Sequence, residues 1–196
     1  VQTGLGRLGE VYFGFEQQKV DPDIVVLGKP IGNGHPIGVV ITKSKIAKSF
    51  DNGIEFFSTF GGSDLSCKIA NEVLNIVDDE SLKENAKKMG NILISELQNL
   101  KSKFPIIGDV RGLGLFLGVE IITNIQTKEP GTLEAEYICN RMREKRILVG
   151  LEGPSENVIK IRPPLCINKR DVLTFIRIFS DILDDSCLKL KSKKLS

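Results

Sequence analysis

Lys29 has the setting in this chain that most invites chemistry. It follows an apolar run, Ile24–Leu27, that ends at Gly28, and it precedes Pro30. A loop with Gly32, Gly34 and Pro36 comes next, then a second apolar run over residues 37–41. Both runs are rich in Val and Ile and too short for helices, which predicts buried strands. The loop is dense in residues that permit or fix unusual backbone angles. Lys29 therefore stands at a strand end, where α/β folds commonly hold catalytic groups. A lysine there can lose solvation, which lowers its pKa and frees its amine for Schiff-base chemistry. A solvated turn lysine fits the same spacing. Residues 56–63, FFSTFGGS, set two glycines beside hydroxyl side chains. Such a backbone can offer N–H and O–H donors to a phosphate, and it also fits a plain loop before a helix. His35, the only histidine, lies between Gly34 and Pro36. In so tight a loop its expected task is a hydrogen bond that holds the loop, rather than acid–base work.

The elements that position these groups follow from periodicity. Residues 10–19 carry a weak short helix, and Asp21-Pro22-Asp23 a turn. Ser44–Phe50 reads as a short helix. Ser63 or Asp64 caps a longer one whose stripe is Leu65, Ile69, Ala70, Val73, Ile76 and Val77. A second stripe, Leu82, Ala86, Met89, Leu93, Leu97 and Leu100, ends before Pro105. From residue 106 the pattern is α+β. Residues 113–122 predict a strand with Gly114 and Gly118 on one face, where something packs close. Arg111, in a Gly-bounded turn, reads as structural rather than ligand-binding. Residues 132–146 predict a helix with Leu133, Ile138 and Met142 inward, residues 147–151 and 158–161 short strands. Asn168 with Asp171 resembles a capping box, opening a helix with Val172, Phe175, Ile176, Phe179, Ile182 and Leu183 inward.

With 27 basic and 25 acidic residues the net charge is +2, which argues against nucleic-acid or membrane-surface partners. The 196 residues at 41% hydrophobic content can bury a proper core. No apolar run reaches the length of a membrane span. The basic stretch at residues 189–194 reads as a solvated terminus. Cys67, Cys139, Cys166 and Cys187 are far apart, read as reduced thiols of an intracellular protein, and with a single histidine give no zinc site.

The stretch GKPIGNGHPIGVV, with QTGLGRLG before it and FFSTFGGSDLSC after it, resembles the core of the class III, fold type I, pyridoxal-phosphate aminotransferases. GDVRGLGLFLGVE and KIRPPLCI extend the similarity over nearly the whole chain. Within the family it is similar to the alanine–glyoxylate aminotransferase 2-like branch, which includes the ethanolamine-phosphate and phosphohydroxylysine phospho-lyases. The resemblance implies an α/β fold of fold type I. It makes residues 1–104 the C-terminal part of the large cofactor-binding domain with a linking helix, and residues 105–196 the small α+β C-terminal domain. It implies pyridoxal 5′-phosphate as cofactor, with Lys29 as the catalytic, cofactor-bearing lysine. Gln2 matches the glutamine that bonds the ring hydroxyl, and Thr59 the threonine that reaches the cofactor phosphate of the neighbouring subunit, so the active site is shared across a homodimer. Relatives of this kind include mitochondrial members, which makes mitochondrion the expected compartment.

Such enzymes are about twice this long, and their Asp-Glu-Val-Gln motif is half over at Val1. The aspartate for the ring nitrogen would precede Val1. The resemblance therefore implies a C-terminal part that, alone, binds the cofactor poorly and is inactive. Many class III aminotransferases place a carboxylate-clamping arginine three residues before the Pro-Pro pair. Here the pair is Pro163-Pro164 and that position is Lys160, while Arg162 directly precedes the pair. In a strand the two would share a face. Lysine pairs poorly with a planar carboxylate but serves phosphate as a point charge. Lys160 and Arg162 are thus candidate substrate contacts, and the reading tilts to a phospho-lyase. An alanine–glyoxylate type transaminase, or an inactive truncated subunit, are the alternatives, and a solvated edge-strand Lys160 fits equally well.

Overall fold

Short runs of β-branched residues give the first unit its ribbon. In a computed structural model, which describes residues 1–185 and Leu188, β1 (Ile24–Leu27) pairs antiparallel with β2 (Val39–Thr42), Ile24 opposite Thr42 and Leu27 opposite Val39. Cys187 and residues 189–194 lie outside the described residues. The Lys43 ammonium reaches Asp21 (2.9 Å) and Asp23 (3.1 Å) at the open end of the ribbon. Both strands were expected to be buried, and they are not: Val26 is 60% and Val40 67% exposed. The reason is topological, since these two strands form a sheet of their own with no neighbour on either edge. The helix expected over residues 10–19 is a 3₁₀ turn, Gly14–Gln18, entered where the Phe13 N–H donates to Glu16 Oε1 (2.8 Å). Helix α1 spans Ser44–Phe50 and α2 Asp64–Asp79, with Ser63 Oγ accepting from the Ser66 N–H. Of the α2 stripe, Ala70 and Val77 are buried while Leu65 is 65% exposed. The core of this unit is small: Leu5, Ile31 and Ala70, with Tyr12, Phe13, Leu27 and Leu74 against them.

The chain divides into compact units between Glu84 and Asn85. The second has the larger core. Helix α3 (Leu82–Lys103) is followed by β3 (Ile107–Leu113), β4 (Phe116–Ile121), α4 (Thr132–Glu144), β5 (Gly150–Glu152), β6 (Val158–Ile161) and α5 (Lys169–Leu183). The four strands form an antiparallel sheet in the order β3-β4-β6-β5. Leu93 and Leu97 from α3, Ile138 and Met142 from α4, and Phe175 and Phe179 from α5 share one core with Val119, Ile121 and Ile159. The capping box at α5 is formed: Asn168 Oδ1 accepts from the Asp171 N–H (3.0 Å) and Asp171 Oδ2 from the Asn168 N–H. Its inward stripe is buried as the spacing predicts.

Four expectations are corrected. Residues 113–122 are not one strand: Leu113 faces Phe116 across a hairpin turn in which Gly114 has φ +54°. What packs close to Gly114 is Gly90 of α3, where an added Cβ would lie 2.2 Å from the Gly114 carbonyl oxygen. Leu133 is 75% exposed, because the buried stripe of α4 runs through Ala135, Ile138 and Met142. The strand expected over residues 147–151 begins only at Gly150. Arg111 lies within β3 rather than in a turn, its guanidinium held by Glu120 (2.6 Å) and Asp109 (3.0 Å). The close helix–hairpin approach yields a first prediction. Gly90→Ala destabilises the second unit by about 1–3 kcal/mol through overpacking, read as a lower urea midpoint; an unchanged midpoint contradicts the packing.

Candidate active site

The backbone around Lys29 is pinned from both sides. Gly28 is extended at the end of β1, and Pro30 then disfavours right-handed helical angles for the residue before it. Lys29 adopts φ +42°, in the left-handed region. For a non-glycine residue this costs of order 1–3 kcal/mol and persists only where surroundings over-determine it. They do so here through a chain of turns. The Ile31 N–H donates to Gly28 O (3.3 Å), the Gly32 N–H to Lys29 O (3.2 Å) and the His35 N–H to Gly32 O (2.9 Å). Ile31 is buried, and His35 Nε2 lies 2.9 Å from Ser66 Oγ on α2. His35 thus ties the loop to a helix, the positional task its sequence setting suggested. The Lys29 side chain is exposed, and a Cβ added at Gly28 would meet nothing within 4 Å, so the space beside the lysine is open.

Gln2 is exposed beside β1: its neighbours Val1 and Thr3 line, with Val26 and Leu27, a cavity of about 290 Å³. Thr59 stands in an exposed loop shaped by Ser58, whose Oγ accepts from the Gly61 N–H (3.0 Å). Among the described residues no hydrogen bond joins Lys29, Gln2 and Thr59.

Lys160 and Arg162 do converge. Lys160 Nζ and Arg162 Nη2 (2.8 Å) both donate to Glu152 Oε1. The Arg162 guanidinium also lies 4.8 Å from the centroid of the Phe116 ring. The hydrogen bond from Lys160, then that from Arg162, holds the Glu152 carboxyl below the usual carboxylate range. Glu152 was missed from the sequence. The signal was the β5–β6 register: Gly150 faces Lys160 and Glu152 faces Val158, which puts Glu152 and Lys160 on one face as diagonal neighbours. Asn85 was also missed; its Nδ2 donates to Leu165 O (2.7 Å) and Ile167 O (2.9 Å), holding the loop after Pro163-Pro164.

The family model "Aminotransferase class-III" matches residues 1–183. The chain belongs to the class III aminotransferase family. A Drosophila melanogaster protein named alanine–glyoxylate aminotransferase 2-like is 43% identical over 93% of this chain and 37% of its own length. An Arabidopsis thaliana protein named alanine–glyoxylate aminotransferase 2 homolog 2, mitochondrial, is 44% identical over 87% of this chain and 35% of its own length. Among solved structures, an Arthrobacter phospholyase in complex with phosphoethanolamine superposes with a TM-score of 0.91 at 34% identity, covering 94% of this chain and 44% of that one. The chain thus spans little more than a third of the curated relatives' length. Its fold is that of the fold type I enzymes, and class III aminotransferases use pyridoxal phosphate. The side chains in the first unit suit that group chemically: a primary amine with open space beside it, an exposed amide and an exposed hydroxyl.

The strain at residue 29 can be tested without cofactor. Lys29→Gly, which accepts φ +42° freely, unfolds at higher denaturant than Lys29→Ala by roughly 1 kcal/mol. Equal midpoints for the two variants count against a strained lysine.

Proposed function

We propose that this chain works within a pyridoxal-phosphate enzyme of family length that eliminates phosphate from a phosphorylated primary amine, after which water hydrolyses the unsaturated amine left behind to an aldehyde and ammonia. The observation that carries this reading is the convergence of Lys160 and Arg162 on one carboxylate oxygen. Two cations held on one face suit a phosphate, which presents about −1.5 to −2 charge and three acceptor oxygens at neutral pH. The likeness to the Arthrobacter phospholyase supports it.

In this reading Lys29 carries the cofactor, Gln2 bonds the ring hydroxyl and Thr59 reaches the cofactor phosphate. Bound there, pyridoxal phosphate supplies an electron sink for the carbon beside the substrate's nitrogen. Lys29 Nζ takes the proton from that carbon as general base. Lys160 and Arg162 are the contacts for the anionic end of the substrate. Residues 1–104 serve as the C-terminal part of the large domain and residues 105–196 as the small one.

The assembly is a homodimer in which Thr59 serves the neighbouring subunit's site. Supporting this, the side chains around it are strongly apolar and exposed: Ile54 by 78%, Phe57 by 79% and Phe60 by 89%. Contiguous apolar surface of this kind commonly marks an interaction site. The Arabidopsis relative's name supports a mitochondrial setting. A transaminase of alanine–glyoxylate type is the second reading, favoured by the naming of the Drosophila relative. Under it Lys160 and Arg162 hold a carboxylate.

The test is phosphate release by the full-length protein, loaded with pyridoxal phosphate and given phosphoethanolamine or phosphohydroxylysine. The expected result is release that falls by about 10²–10⁴-fold or more in Lys29→Ala. No release, with keto-acid-dependent amino transfer in its place, establishes the transaminase reading instead.

A further inference from the structure

The Lys29 loop has two kinds of hold. Its turn bonds, from the Ile31 N–H to Gly28 O and from the Gly32 N–H to Lys29 O, are local and move with the loop. Beyond the ribbon that it joins, the loop is docked on α2, against which the turn Lys29–Ile31 packs. Two contacts make this docking. Ile31 shares a buried cluster with Ala70, and His35 Nε2 lies 2.9 Å from Ser66 Oγ. Ser66 and Ala70 are one helical turn apart, so they stand on one face of α2. The chain brings His35 to that face by doubling back over Gly32, where an added Cβ would lie 2.1 Å from the His35 carbonyl oxygen. Apolar contact at Ile31 is non-directional, whereas the hydrogen bond at His35 has a preferred distance and angle. The bond therefore sets how the loop is turned on the helix.

Ser66 is tied to the Thr59 segment as well. Its N–H donates to Ser63 Oγ (3.4 Å), the cap of α2, and the Cys67 N–H donates to Ser63 O (2.9 Å). Just upstream, Gly62 at φ +70° and the bond from the Gly61 N–H to Ser58 Oγ shape the loop that carries Thr59. One side-chain hydrogen bond thus joins the loop of Lys29 to the helix start that follows Thr59. We propose that His35 is a positioning residue for the cofactor: through Ser66 it holds the Lys29 loop and the Thr59 segment on one helix, so that both groups are in place before pyridoxal phosphate binds. This rests on the reading that Lys29 and Thr59 serve the cofactor, Lys29 in its own site and Thr59 in the neighbouring one. His35 itself acts only through Ser66 and the loop. Without the bond, the left-handed backbone at Lys29 relaxes into other conformations. The competent arrangement is then only partly populated, and the apparent affinity for the cofactor falls by that fraction.

The test uses the full-length protein stripped of cofactor. Two quantities are measured: the dissociation constant for pyridoxal phosphate, and backbone amide exchange in peptides covering residues 28–38 and 56–66. The variants are His35→Ala, Ser66→Ala, the double variant and His35→Gln, whose terminal amide can either donate to or accept from the Ser66 hydroxyl. Melting temperatures confirm that each is folded. Each single alanine variant raises the dissociation constant about three- to tenfold, and the double variant raises it no further than the larger single effect. His35→Gln stays within about twofold of the parent. Exchange quickens in both peptides whichever partner is replaced. Independent, multiplying effects in the double variant, a glutamine variant as weak as the alanine one, or faster exchange confined to the peptide that carries the substitution overturns the role of His35. If Lys29→Ala and Thr59→Ala both bind the cofactor as tightly as the parent, the cofactor reading itself is wrong, and the proposal falls with it.

Discussion

The fold of the first unit bears on one backbone constraint, the left-handed conformation of Lys29 between Gly28 and Pro30. Proline disfavours the right-handed alternative for the residue before it. The loop is then closed by hydrogen bonds at Gly28, Lys29 and Gly32, by burial of Ile31 and by the His35–Ser66 contact. These together offset the strain. Strain at this position is consistent with a residue kept for its chemistry, since a glycine would serve the fold better.

The two units differ in self-sufficiency. The second has a four-stranded sheet and three helices sharing a continuous core that includes Ala86, Leu97, Leu115, Val119, Ile138, Ile159 and Phe179. The first rests on a cluster of three buried apolar residues, Leu5, Ile31 and Ala70, with Leu8 and Val77 buried besides, and on a two-stranded ribbon, an element that is marginal in water by itself. Ile24, Val26, Val40 and Ile41 on that ribbon, and the Phe residues near Thr59, are exposed. The Val and Ile content of the ribbon is that of strands covered on both faces.

The parts of this structure that the sequence revealed are those governed by local rules. The α5 cap and stripe, the α3 stripe and the strand-end position of Lys29 follow from spacing over a few residues, and the structure has them. The family followed from several ordered motifs agreeing across the chain. What was lost depended on non-local pairing. Leu133 looks inward by helical spacing, but the buried stripe of α4 takes Ala135 in its place beside the expected Ile138 and Met142. The β3–β4 hairpin was read as one strand because Leu113, Leu115 and Leu117 keep the alternation of a strand through the turn. Glu152 escaped because its partnership with Lys160 exists only once the β5–β6 register is set, and an isolated glutamate before a Gly-Pro turn carries no signal of it. The burial of β1 and β2 was inferred from composition alone, which does not report which neighbours are present.

The claim on which the rest depends is that Lys29 is the lysine that bears the cofactor. It is tested most directly by reducing the cofactor-loaded full-length enzyme with borohydride, digesting it and locating the pyridoxyl group by peptide mass spectrometry. The label is expected on Lys29, within the stretch between Ile24 and Asn33. A label on any other lysine, or none on a protein that binds pyridoxal phosphate, contradicts the assignment.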